Sequence, residues 1–213
     1  EDEDGTIDVA RAVQINDSFQ VSRQFWSSMI TRGVLQNPRN FINATPHMSF
    51  VWGEEDVNFL RRRHAALVEQ PLFTGMRFST DPVEIHQWAP LLIEGRDTTQ
   101  PIAATWSGLG TDVDFGELTR QYVAHLQSAD NFGLQLSSEV EGLERNPDGT
   151  WKVIYAATNG SDRRAVNARS VFIGAGGAAI LLLQESAIPE AGSYGGFPVG
   201  VSFLVNRNPV LAD

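Results

Sequence analysis

The chain has 213 residues, of which 42% are hydrophobic, and a formal net charge of −10 at pH 7. That length holds one large domain or two small ones with a real core, while the negative balance argues against nucleic acid as a partner, since phosphate backbones call for basic surfaces. Cysteine is absent, which excludes disulfides, thiolate catalysis and Cys-ligated zinc or iron–sulfur clusters, and no apolar run is long enough to span a membrane.

Residues 1–5 are acidic and read as frayed. Asn16 or Asp17 can cap a helix whose apolar positions Phe19, Phe25, Trp26, Met29 and Ile30 follow helical spacing and read as core. Gly33 suits its stop. The second half of 38–53 predicts a strand that ends at Gly53. Glu54, Glu55 and Asp56 then open a helix carrying Val57, Leu60 and Leu67, with Arg61, Arg62 and Arg63 mostly solvated. Asp81-Pro82-Val83-Glu84 has the chemistry of a helix start: a cap, a proline at the first helical position and a glutamate at the third. That helix stops before Pro90, and 90–97 reads as extended and then turning. Residues 101–105 predict a strand, and 116–128 a helix with Leu118, Tyr122, Val123 and Leu126 on one side. Beyond Gly133 the texture changes to strands near 134–138, 140–143, 151–158 and 165–173, separated by the turns Asn146-Pro147-Asp148-Gly149 and Asn159-Gly160-Ser161-Asp162. A helix over 179–186 and a strand over 199–205 follow. The chain starts without methionine and stops just after that last strand, so it reads as a piece of a longer protein.

The local pattern that points to a cofactor class runs from Gly174 to Ala179, which spells G-x-G-x-x-A between a predicted strand and a predicted helix. Gly174 lets the chain leave the strand in a conformation closed to other residues. Gly176 leaves no side chain between backbone and phosphate, and a helix N-terminus adds about half a positive charge. A dinucleotide fold also wants an acid about 20 residues on, at the end of a second strand. Glu190 lies in what reads as a loop, so the fingerprint is incomplete; a turn that merely packs a helix on a sheet is the other reading.

Among the four histidines, His64, His86 and His125 fall on predicted helices and read as surface or packed residues. His47 follows Pro46 at the start of an apolar strand, away from charge. A neutral imidazole there can take a proton from a hydroxyl, or it can be a core histidine bonded to a backbone carbonyl. Asp112 and Asp114 come without a histidine pair or calcium-loop pattern, so no metal is expected. Neither a serine-hydrolase elbow nor a Walker loop is present. Arg39, Arg77 and Arg96 have the guanidinium geometry that clamps a carboxylate through two parallel hydrogen bonds.

Six runs share one order along the chain: Asn16–Trp26, Pro46–Gly53, Trp88–Asp97, Gly110–Arg120, Gly174–Ala179 and Gly195–Val199. Together they resemble malate:quinone oxidoreductase, a flavoprotein family related to D-amino-acid and glycine oxidases. The resemblance covers nearly the whole chain. It implies a mixed α/β (α+β), two-lobed flavoprotein: 1–36 as a helical segment adjoining the FAD lobe, 37–109 in the substrate lobe, 110–190 in the FAD lobe, and 191–213 starting the next substrate-lobe segment. It implies oxidation of (S)-malate to oxaloacetate, with electrons passed through FAD to a membrane quinone by a protein peripheral on the cytoplasmic face of a bacterial membrane. His47 would be the base, and Arg39, Arg77 and Arg96 would hold the two carboxylates. Gly174, Ala175, Gly176 and Gly177 would lie near the ADP part of FAD, and Val140 on the strand that meets the adenine. The family's N-terminal glycine fingerprint and its flavin-closing C-terminal part are missing. Gly200-Val201-Ser202-Phe203 also departs from the family's usual run. The isolated chain is therefore expected to be inactive and colourless. A non-enzymatic binding module on the same scaffold is the alternative.

Overall fold

A computed structural model of the chain describes residues 6–97, 99–160 and 162–196. It is mixed α/β and divides into two compact units, Glu1–Gly133 and Leu134–Asp213.

The first unit begins with α1 (Ala10–Thr31). This helix starts well before the expected cap at Asn16 or Asp17. The Asp8 carboxylate accepts from Ala10 N–H at 2.7 Å, and Asn16 instead donates to the Leu72 carbonyl at 3.2 Å. Gly33 ends the helix in the left-handed conformation (φ +74°), with Val34 N–H bonded back to Met29 O at 2.9 Å. Trp26 anchors α1 in a core with Leu35, Phe41 and Leu118. Its ring meets Phe19, Phe41 and Phe115 edge-on, each at 6.4 Å between centroids, a geometry worth about 0.5–1.5 kcal/mol per pair beyond area. Leu118 comes from α4 (Phe115–Leu126), capped by Asp114 through its carboxylate to Glu117 N–H at 2.8 Å.

The rest of this unit is built on a bent ribbon. β1 (Ile42–Ala44) pairs antiparallel with β5 (Thr111–Val113), and β2 (His47–Trp52) with β4 (Ile102–Ser107). Between them Thr45 N–H reaches Gly110 O at 3.1 Å, and pairing resumes at His47 opposite Ser107. Gly108 and Leu109 thus stand against Pro46 alone, a bulge that bends the ribbon. A proline, which has no N–H to contribute, fits such an interruption. β3 (Arg77–Ser79) completes a three-stranded sheet of order β2-β4-β3.

Facing residues share a side of the sheet, so its two sides can be read from the register. One carries Val51, Ala103 and Phe78 and is covered by Val57 and Leu60 of α2 (Glu54–Val68). The other carries Met48, Phe50, Ile102, Ala104 and Trp106 and is covered by Ile85 and Trp88 of α3 (Pro82–Trp88) and by Ile93. Asp81 caps α3 as expected, accepting from Val83 N–H at 2.9 Å. After it, 90–92 forms a 3-10 turn rather than the expected extended run, because the Pro90 carbonyl accepts from Ile93 and Glu94.

Tyr122 packs against the α1–α4 core, and its buried hydroxyl has no hydrogen-bond partner among the described residues. Burial raises its pKa. An unpaired buried hydroxyl costs about 1–3 kcal/mol. Tyr122→Phe is therefore expected to raise the urea midpoint, by the equivalent of roughly 1 kcal/mol or more; a lowered midpoint would mean that the hydroxyl is bonded in solution.

The second unit is a meander of β6 (Ser138–Arg145), β7 (Trp151–Ala157) and β8 (Arg163–Ala168), with α5 (Ala179–Glu185) after it. Of the two strands expected near 134–138 and 140–143, residues 134–137 form none, and the second lies within β6. Ser137 turns left-handed (φ +51°) just before it, and a register shift between Val140 and Gly142 accommodates Glu141. Asp148 shapes the first turn by accepting from Thr150 N–H at 2.9 Å and from its hydroxyl at 2.6 Å, contacts that hold the Asp148 carboxyl below its usual range. The expected strand to Ile173 stops at Ala168, opposite the first residue of β7. Past that point no described strand remains to pair with, and Phe172 is 96% exposed. The expected strand over 199–205 lies outside the described residues.

Candidate functional site

The glycine turn does not follow a paired strand, yet its backbone is open. Gly176 adopts φ +56°, and a Cβ placed on Gly176 or Gly177 would meet nothing within 4 Å. A Cβ on Gly174 would stand 3.6 Å from the edge of the Phe172 ring. Gly176–Ala178 forms a 3-10 turn that runs directly into α5, and Ala175 caps it. Val140, on β6 opposite Tyr155, is 37% exposed. Glu190 falls in a 3-10 turn, Pro189–Ser193.

His47 opens β2 and is exposed, and its side chain makes no hydrogen bond among the described residues. The core-histidine reading therefore does not describe it. That role belongs to His64, which contacts the Met76 carbonyl at 3.0 Å and lies 5.6 Å from the Phe78 ring. Gly110 is a residue the sequence reading gave no role. A Cβ there would stand 2.4 Å from the Thr45 carbonyl and 2.8 Å from His47 N. The signal was a glycine pair, Gly108 and Gly110, between two strand-like runs.

The three arginines are not gathered at one point. Arg77, on β3, shares the α3 side of the sheet with Trp106, opposite in register. Its guanidinium lies 5.0 Å from the Trp88 ring and 5.9 Å from Trp106, two rings that stack at 6.3 Å. It also pairs with Glu84. Glu84, expected at the third position of a capping box, thus spends its carboxylate on Arg77. The Ser79 hydroxyl foremost, with Arg77 adding to it, holds that carboxyl below its usual range, while burial pushes the other way. Arg96 folds back on its own turn, donating to Leu92 O and Gln100 Oε1 at 2.9 Å each, and its guanidinium lies 4.9 Å from Phe50 and 5.8 Å from Trp52. A hollow of about 350 Å³ beside it also carries Glu94 and Asp97. Arg39, in the 3-10 turn Pro38–Asn40, is exposed and makes no ion pair among the described residues.

His47 pairs with Ser107 on the α2 side of the sheet, whereas Arg77 is on the α3 side at the opposite edge strand. Phe50 and Trp52, which hold Arg96, are also on the α3 side. Asp112 faces Asn43 across β1 and β5, and Asp114 is the cap of α4. Among the described residues no three of His, Cys, Asp or Glu gather as a metal site. A cavity of about 440 Å³ between α4 and the Gly33–Asn40 turn is lined by polar residues that include Asn37, Gln121 and His125, and by none of the candidates.

Comparison with known proteins adds a family. The model of the family described as "Malate:quinone oxidoreductase (Mqo)" matches residues 1–213. A protein of Agrobacterium fabrum named "Probable malate:quinone oxidoreductase" is 58% identical over 209 residues, covering 98% of this chain and 40% of its own length. A protein of the same name from Ralstonia nicotianae is 56% identical over 213 residues, covering 100% of this chain and 39% of its own length. The chain thus spans about two fifths of the length of the curated relatives it matches. Among solved structures, L-proline dehydrogenase from P. horikoshii superposes with a TM-score of 0.51 at 18% identity, over 70% of this chain and 36% of that one. At that identity the likeness is one of fold.

Proposed function

The chain belongs to the malate:quinone oxidoreductase family, and from that membership we propose that it works as a segment of an FAD-dependent enzyme that oxidises (S)-malate to oxaloacetate and reduces a membrane quinone. The observation that carries this reading is the family match over the whole chain, with relatives 56–58% identical. The reaction is balanced: malate loses two electrons and two protons, and the quinone gains both pairs. FAD, when bound, supplies the acceptor for the C2 hydride. Gly174, Ala175, Gly176 and Gly177 would face its diphosphate through open backbone, and Val140 its adenine. The absence of side chains at Gly176 and Gly177, with free space above them, supports this fit.

The work left to this chain is proton transfer and orientation. His47 is proposed as the base that takes the proton of the C2 hydroxyl; an exposed imidazole with no partner among the described residues is open to a substrate. Of the three candidate arginines, Arg39 makes neither a side-chain hydrogen bond nor an ion pair among the described residues and enters as the carboxylate ligand. Arg77 would have to release Glu84, and Arg96 would have to release Gln100, to join it. The division into substrate-lobe and FAD-lobe segments at 36/37, 109/110 and 190/191 belongs to the same proposal. So does peripheral association with the inner face of a bacterial membrane. No described helix is long and apolar enough to cross one.

The test uses the full-length family protein that carries this segment. Bound flavin absorbance and malate-dependent reduction of a quinone analogue are expected. No malate-dependent reduction, even with FAD added, would overturn the enzyme reading and favour a binding module. The 213-residue chain alone is expected to be colourless and inactive; flavin at near-stoichiometric level in it would remove that corollary.

A further inference from the structure

We propose that Ser107 is a positioning residue for His47, its hydroxyl oxygen holding one imidazole nitrogen so that the other faces the substrate hydroxyl. The inference rests on the reading of His47 as the base. His47 and Ser107 are directly paired across β2 and β4. Their side chains therefore leave the sheet on the same side, with Cβ atoms about 4.5–5.5 Å apart. The two side chains are not bonded in the structure, and the proposal is that the imidazole turns about its Cα–Cβ bond to meet the hydroxyl.

The local frame is stiff in a way that suits orientation. Ser107 Oγ accepts from Leu109 N–H at 3.3 Å, across the bulge. That contact uses one lone pair and leaves the other, and the hydroxyl proton, for a neighbour. The return strand runs close to the backbone of His47, since a Cβ on Gly110 would stand 2.8 Å from His47 N and 3.0 Å from His47 Cβ, so only glycine fits there. Thr45 N–H ties the same strand to Gly110 O at 3.1 Å. Pro46 fixes the preceding φ. The histidine thus has a pinned Cα, and its cross-strand neighbour is an oxygen.

The chemistry asks for such an oxygen. A neutral imidazole carries a proton on one nitrogen and a lone pair on the other, and the partner of the protonated nitrogen decides which is which. A base left to rotate presents the lone pair only part of the time. Farther along the same side, Ser49 faces Thr105. Neither is directly opposite His47, so Ser107 is the cross-strand residue in position.

The experiment compares Ser107→Ala and Ser107→Thr in the full-length protein, with malate as substrate and a quinone analogue as acceptor. Ser107→Ala is expected to lower kcat about ten-fold, with KM for malate within about two-fold and the melting temperature unchanged. Ser107→Thr keeps the oxygen and is expected to recover at least about half of the wild-type kcat. Wild-type kcat in Ser107→Ala, or a threonine variant as slow as the alanine one, would overturn the proposal. His47→Gln assayed alongside separates the two ideas. Full activity in that variant means the base itself is misassigned. Loss there with Ser107→Ala unaffected means that only the positioning role is wrong.

Discussion

Phe41→Ala is expected to destabilise the first unit by about 3–5 kcal/mol, the cost of emptying a large aromatic from a packed core. Phe41 is fully buried. It lies edge-on to Trp26 at 6.4 Å, and both belong to the cluster with Leu35 and Leu118. The position also serves the backbone. Phe41 O accepts from Asp114 N–H at 2.8 Å, and Asp114 caps α4. One residue therefore joins the α1 core, the start of β1 and the N-terminus of α4. Neighbours can collapse only partly into the space, because Trp26 is already held by Phe19 and Phe115. The expected result in urea is a large fall in midpoint with little change in slope. A loss below about 1 kcal/mol would mean that the cluster is not the core of this unit.

Much of this frame was legible in the sequence, for local reasons. Val57, Leu60 and Leu67 announced α2 by spacing, and all three are buried. Asp81-Pro82 announced α3 by cap chemistry, and the cap bond is present. Gly53, with φ +89°, ends β2 where expected. What was not legible depends on partners distant in sequence. Val171, Phe172 and Ile173 have the composition of a buried strand, but composition does not supply a neighbouring strand, and β8 ends with its partner at Ala168. Glu84 looked like a capping residue because the motif is local, whereas Arg77 reaches it from β3. The sides taken by His47 and Arg77 follow from register against β4, and a one-residue slip would exchange them. No single-sequence reading fixes that register. The candidates were therefore chosen by residue type, and the sheet assigned them to different sides.

That separation makes His47→Gln the informative change, with an expected fall in kcat of about 10²–10⁴-fold, the usual contribution of a positioned general base. Glutamine keeps polarity and approximate size but cannot accept a proton near neutrality. Because the His47 side chain is exposed and makes no hydrogen bond among the described residues, the substitution falls in the class that changes stability by about 0.5 kcal/mol or less. Folding and flavin content should then match the wild type, so lost turnover reads as lost chemistry. The measurement is steady-state malate oxidation by the full-length protein, with flavin absorbance and melting temperature recorded on the same preparations. KM for malate should stay within a few-fold, since the carboxylates are assigned to arginine. A kcat reduced less than about five-fold sinks the assignment. A reduced kcat accompanied by lost flavin or a lowered melting temperature sinks it too, by making the residue structural. The exposure of His47 argues against that second result. Gly110 lets the return strand pass close to the histidine's backbone, while its side chain stays at the surface with Ser107 opposite in register.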